Sequence, residues 1–342
     1  MELRPLGNTG IMLSPVAFGA WPIAGLTSAG TNDEDSVATI RACFDLGINH
    51  IDTAFCYGIH GESERLVARA LCTRRREMVI ATKGGLHWDA EGKQAHDASP
   101  TMLRRECEES LRRLGTDYVD LYYLHAPDPK VPVAESAAAL RKLMEEGKTR
   151  SVGVSNVTVA QLDQFAAVCP IAAYQPPYNM LQRQIEADTL PWCRARGVAV
   201  LVYWPLMKGL LAGKLRRDQS FEGDSRRKYP MFQGEEYEKN LDLVEKLRAI
   251  AAGGTGMSPV GQVDNLPHGK RQVGNLPHTV AQLVVNWTIH QPGITAALCG
   301  AKRPEQLRET ALAAGWQLTP DQLARIDHAL AERGPAATKA PV

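Results

Sequence analysis

The sequence predicts a single (β/α)8 TIM barrel over residues 1–342, in the α/β class. Three observations carry that prediction. Eight short apolar runs recur along the chain. Stretches with 3.6-residue periodicity separate them. No second composition regime appears. A doubly wound open sheet would use the same alternation, but a count of eight favours the barrel.

The expected strands are, in order, "VAFGA" (16–20), "NHIDTA" (49–54), "MVIATK" (78–83) and "YVDLYYLH" (118–125). Then follow "RSVGVSN" (150–156), "AAYQPPYN" (172–179), "VAVLVYWPL" (198–206) and "ITAALCG" (294–300). Helix-ending signals precede most of them, such as "LG" at 46–47, "LG" at 114–115 and "RARG" at 194–197. The helical stretch "TMLRRECEESLRRLG" puts Leu103, Cys107, Leu111 and Leu114 on one stripe. It opens with Ser99 before Pro100, a cap followed by a proline. At the start of the chain, "LRPLGNTGIML" reads as a hairpin around Asn8–Gly10, placed to cover one barrel end.

Composition excludes several classes. The formal charge is +1, so nothing points to nucleic acid or an anionic membrane as partner. No apolar run approaches the length of a membrane span, and the N-terminus has no apolar leader. Seven cysteines, odd in number and without a C-x-x-C pair, argue against a disulfide framework or a zinc site. A cytoplasmic location is the expectation, and no metal is expected.

In a barrel the chemistry sits at the C-terminal ends of the strands. Those ends here are polar. Asp52 ends the second strand, with Tyr57 just beyond. Lys83 ends the third, His125 the fourth and Ser155-Asn156 the fifth. Gln175 lies on the sixth and Tyr203 on the seventh. Each alone has an ordinary structural explanation, but convergence on one face does not. A phenol titrates near pH 10, and a neighbouring ammonium should lower that value. An aspartate would hold the lysine, and an imidazole could orient a carbonyl oxygen. The set suits proton delivery to an oxygen that is becoming an alkoxide.

These motifs resemble the aldo-keto reductase family. The matching text is "IDTAFCYG", "ATKGG", "LYYLHAPD", "GVSNV", "YQPPYN", "YWPLMKGLLAGK" and "GAKRPEQLRET", in order over nearly the whole chain. The resemblance implies a (β/α)8 barrel and a catalytic tetrad of Asp52, Tyr57, Lys83 and His125. It implies NADPH lying extended across the barrel mouth, without a Rossmann domain. Ser155, Asn156 and Gln175 would hold the carboxamide, and Tyr203 would stack on the nicotinamide. Pro205, Leu206, Lys208 and Gly209 would follow the pyrophosphate. Lys302 would meet the adenosine phosphate, with Gln306 and Glu309 near the adenine. Gly19, Ala20, Trp21, Asp52, Trp204, Lys214 and Gly300 would complete the cofactor contacts. The substrate, a small carbonyl compound, would meet Trp21, Tyr57, Trp88 and His125. Two residues depart from the family pattern. Trp204 stands where a small residue is common, and Thr310 where an asparagine is usual. Lys302, Arg303 and Arg308 are clustered cations suited to a 2′-phosphate, which favours NADPH over NADH. The alternative on the same barrel is a non-catalytic, cofactor-sensing regulatory subunit.

One segment does not fit the barrel pattern. "GQVDNLPHGKRQVGNLPHTV" contains a heptapeptide twice, differing only at Asp264 and Gly274. It reads as a tandem insertion near 261–278, tolerated because loop length costs little.

Overall fold

The computed structural model describes residues 1–25, 31–253 and 277–339. Strands β1 (Arg4–Pro5) and β2 (Met12–Leu13) pair antiparallel as the expected N-terminal hairpin. The chain then runs through β3 (Val16–Gly19), β4 (His50–Asp52) and β5 (Val79–Gly84). A second hairpin follows, β6 (Leu86–Trp88) with β7 (Gln94–His96), which no sequence signal had been read to predict. Next come β8 (Leu121–Leu124), β9 (Val152–Ser155), β10 (Ala173–Gln175), β11 (Ala199–Val202) and β12 (Ala296–Gly300). Strands β3, β4, β5, β8, β9, β10, β11 and β12 close into one parallel barrel, β12 pairing with β3. Each of the eight expected strands is one of these.

The helices are α1 (Asp33–Leu46), α2 (Glu62–Leu71), α3 (Pro100–Leu114), α4 (Val133–Glu145) and α5 (Val159–Ala166). Then come α6 (Thr189–Arg196), α7 (Gly234–Ala251), α8 (Val280–Ile289), α9 (Pro304–Ala311) and α10 (Pro320–Arg333). Helix α3 shows why the sequence sets its ends. The Ser99 hydroxyl accepts from the Met102 amide, Pro100 opens the first turn, and Gly115 closes the helix in the left-handed conformation. Its stripe of Leu103, Cys107, Leu111 and Leu114 is buried, as expected.

The barrel interior is filled. Ala81, Leu121, Tyr123, Ala173, Ala199, Leu201 and Ala296 form a layer, and Leu6, Ile11 and Leu13 of the first hairpin pack beneath it. The hairpin therefore plugs the N-terminal end. Gly7 makes this possible. It is left-handed at φ +53°, and a Cβ there would meet the Ala172 carbonyl oxygen at 2.6 Å. Gly153 answers a second crowding, since a Cβ there would meet the Tyr123 ring at 2.4 Å.

The repeat lies almost wholly outside the described residues. Only its last two residues, Pro277 and His278, fall within them. His278 stacks on Trp316, with centroids 3.7 Å apart, and its amide donates to the Ala251 carbonyl at 3.0 Å.

Candidate active site

Strand alternation divides β5 between two environments. Lys83 points into the barrel, while Thr82 points outward and donates to Glu64. The Lys83 ammonium is 2.5 Å from Asp52 Oδ1, 2.7 Å from the Thr53 carbonyl oxygen and 3.3 Å from the Tyr57 hydroxyl. All three ammonium protons thus have acceptors. The other Asp52 oxygen accepts from Gln175 Nε2 at 2.8 Å. Asp52 and Lys83 are buried, so this pair is held by hydrogen bonds on both sides rather than by water.

Tyr57 packs edge-on against Trp21, with centroids 4.9 Å apart, and lies 6.0 Å from the His125 ring. Burial, followed by the charge of Asp52, pushes the phenol well above its usual value near 10. The ammonium was expected to bring the phenol down. Desolvation outweighs it here, because the half-buried ring is enclosed enough to penalise the phenolate more than the phenol. Burial also holds His125 well below the usual histidine range, with Lys83 and His96 acting in the same direction. The imidazole is therefore neutral.

A second network joins the next strand ends. The Ser155 hydroxyl donates to the Gln175 carbonyl at 2.7 Å. Asn156 Nδ2 donates to the His125 carbonyl and to Ser155 Oγ, both at 3.0 Å. The Tyr203 hydroxyl donates to Asn156 Oδ1 at 2.8 Å. Asn156 sits at φ 56°. Trp204, Met207 and Lys208 are also left-handed, so four of the five non-glycine residues with positive φ among those described lie at this mouth. Such strain collects where a backbone is shaped for a ligand.

Beyond Trp204, the segment Pro205, Leu206, Lys208 and Gly209 winds through tight turns. Gly209 N bonds the Leu206 carbonyl at 2.9 Å. The Lys208 ammonium lies between the Trp204 and Tyr229 rings, 5.2 and 5.1 Å from their centroids. Trp204 itself packs edge-on against Tyr203 and Tyr229. On the facing side, Gly19 and Gly300 are paired across β3 and β12, and the Ala20 amide donates to the Asp52 carbonyl. The Lys302 amide donates to Gln306 Oε1 at 2.8 Å. Glu309 forms an ion pair with Lys214 at 2.5 Å, tying α9 to the loop after β11. Thr310 is buried, and its hydroxyl donates to the Leu307 carbonyl of its own helix.

Sequence reasoning missed two groups. Arg226, paired with Asp224 at 2.7 Å, acts electrostatically on both Lys208 and Lys302. Burial and then the flanking charges, Arg226 among them, bring the Lys302 ammonium below its ordinary value. Burial does the same to Lys208. Cations crowded in this way, with Asp224 as the acidic counterpart, fit a polyphosphate ligand. The signal was the basic run "SRRK" (225–228), which neither strand end nor periodicity marks out. The other missed group is Cys56, whose sulfur lies 3.6 Å from His125 Nδ1. Trp88 does not stand free in the mouth, since its indole N–H donates to the Cys56 carbonyl at 2.8 Å.

The family model for the Aldo/keto reductase family matches residues 15–263. The chain belongs to that family. It is 37% identical over 324 residues to the aldo-keto reductase YhdN of Bacillus subtilis (strain 168), covering 94% of this chain and 91% of that one. It is 34% identical to the NADH-specific methylglyoxal reductase of Escherichia coli (strain K12), covering 92% and 93%. Among solved structures, the glycerol dehydrogenase AKR11B4 from Gluconobacter oxydans superposes with a TM-score of 0.84. It is 37% identical, and 99% of this chain and 98% of that chain are covered. The holo form of AKR11C1 from Bacillus halodurans gives a TM-score of 0.75 at 25% identity, with 100% and 99% covered. This aldo-keto reductase is thus an oxidoreductase of small carbonyl compounds. Among its described residues no helix is long and apolar enough to cross a membrane.

Proposed function

We propose that this reductase converts aldehydes and ketones to alcohols with NADPH as reductant and Tyr57 as proton donor. The observation that carries the reading is the Asp52–Lys83–Tyr57 chain, ending on the phenol oxygen. When bound, a nicotinamide nucleotide supplies the hydride. The protein's own residues manage the proton. Lys83 donates to the phenol oxygen and would stabilise the phenolate left behind. Asp52 and the Thr53 carbonyl hold the ammonium in place, and Gln175 holds Asp52. Burial keeps Tyr57 protonated at rest, yet an alkoxide is a far stronger base and still takes the proton. His125, being neutral, can offer an N–H to the developing oxyanion. Trp21 and Trp88 make the adjoining walls aromatic.

On this reading Ser155, Asn156 and Gln175 would receive a carboxamide, and Tyr203 an aromatic ring. Lys208, Arg226 and Lys302 would hold the phosphates. The preference for NADPH rests on these cations, because one relative is named as NADH-specific and the family alone does not decide. The seven cysteines are free thiols, which suits a reducing, cytoplasmic setting.

The test is Tyr57→Phe, assayed with NADPH and a reactive aromatic aldehyde. Turnover should fall by at least about a hundredfold, with NADPH binding by fluorescence nearly unchanged. A variant that keeps more than a few per cent of wild-type turnover would show that Tyr57 is not the acid. A wild-type protein that binds NADPH and reduces none of a carbonyl panel would favour the regulatory reading.

A further inference from the structure

The β6–β7 hairpin grips the loop after β4 at one residue. Trp88 and Gln94 face each other across that hairpin. The Trp88 indole donates to the Cys56 carbonyl at 2.8 Å, and Gln94 Nε2 lies 3.9 Å from the Cys56 sulfur. On its far side the sulfur meets His125 Nδ1 at 3.6 Å. Cys56 is 1% exposed, so no water competes for these contacts.

We propose that Cys56 is a positioning residue whose S–H donates to Nδ1 of His125, fixing the imidazole as the Nε2–H tautomer that meets the substrate oxygen. This rests on the reading of His125 given above. A thiol has one hydrogen to give. Gln94 approaches the sulfur as a donor and uses a lone pair, so the sulfur's own hydrogen is left for Nδ1. Burial pushes the thiol up to about 12, so that hydrogen stays on sulfur throughout the neutral range. A neutral imidazole carries one N–H. With Nδ1 accepting, that hydrogen sits on Nε2. The opposite tautomer would turn a lone pair towards the carbonyl oxygen and take from the S–H its acceptor at Nδ1.

The hairpin thus reaches the reacting atoms through one sulfur. This assigns Gln94 and Trp88 a role that wall packing alone would not give them.

The test is a long-range 1H–15N spectrum of the histidine rings in the NADP+-bound enzyme, with His125 assigned by its loss in His125→Gln. Wild type and Cys56→Ser should show His125 as Nε2–H, because a hydroxyl is also a donor. Cys56→Ala should lose that preference. Its kcat should fall about tenfold, the scale of one orienting hydrogen bond, while the Kd of NADPH stays unchanged. A wild-type Nδ1–H ring, an unchanged tautomer in Cys56→Ala, or an unchanged kcat in that variant overturns the proposal. Full turnover by His125→Gln would instead refute the role given to His125, whatever its tautomer.

Discussion

Behind Lys83, on the outer face of β5, Glu106 sits fully buried. Its Oε2 accepts from the Gly85 amide at 2.5 Å, and its Oε1 lies 3.3 Å from His87 Nδ1. Burial pushes this carboxyl from 4.5 to about 8, the charges of Asp97 and Glu64 adding to the rise and Arg113 opposing it. The consequence for stability has a definite sign. Between those two values the folded state keeps a proton that the unfolded chain has lost. The contribution is therefore full below pH 4.5, declines as pH rises, and is gone above about pH 8. Each pH unit in that window costs the wild type up to about 1.4 kcal/mol. Glu106→Gln keeps an oxygen for Gly85 and removes the slope. Urea midpoints at pH 5, 7 and 9 should show the variant gaining on the wild type as pH rises. Parallel pH curves would refute this. At the far side of the mouth, Lys302→Glu should raise the KM for NADPH far more than that for NADH. Only NADPH carries the 2′-phosphate, and a carboxylate there repels it. Equal effects on both cofactors would show that Lys302 does not read the phosphate. Individual residues were unevenly legible. Asp52, Lys83 and His125 could be found because each ends an apolar strand. Arg226 could not, because it lies in a 3-10 turn long after β11 with no periodic neighbours.

At the scale of elements, the strands were legible because they are largely buried on both faces and read as short apolar runs with polar ends. The β6–β7 hairpin was not, since its strands are three residues each and face solvent in part. Its turn did leave marks, Asp89 accepting from Glu91 and Lys93 and Gly92 being left-handed at φ 71°. The insertion belongs to this scale as well. Helix α7 ends and α8 begins at neighbouring points, because the His278 amide bonds the Ala251 carbonyl. The α8 start is also held by its own capping box, Thr279 with Gln282. Neither contact involves residues 254–276. Replacing 261–276 by a short Gly/Ser link, with His278 retained, should leave the melting temperature and carbonyl reduction nearly unchanged. A marked loss of either in the shortened chain would make the repeat a working part of the enzyme.

At the scale of the molecule, the two ends of the barrel differ. Leu6, Ile11 and Leu13 close the floor, under a layer of alanines, leucines and Tyr123. The hairpin was readable from Asn8–Gly10, but its depth was not, because that depends on Gly7 approaching the Ala172 carbonyl. The plug has a consequence for proton traffic. Asp52 and Lys83 have packed side chains below them, which separate them from the floor. A proton given up by Tyr57 has its way back through the mouth, the same opening through which alcohol leaves. Resupply of the acid and departure of the alcohol therefore share one opening, so a side chain that narrows the mouth touches both.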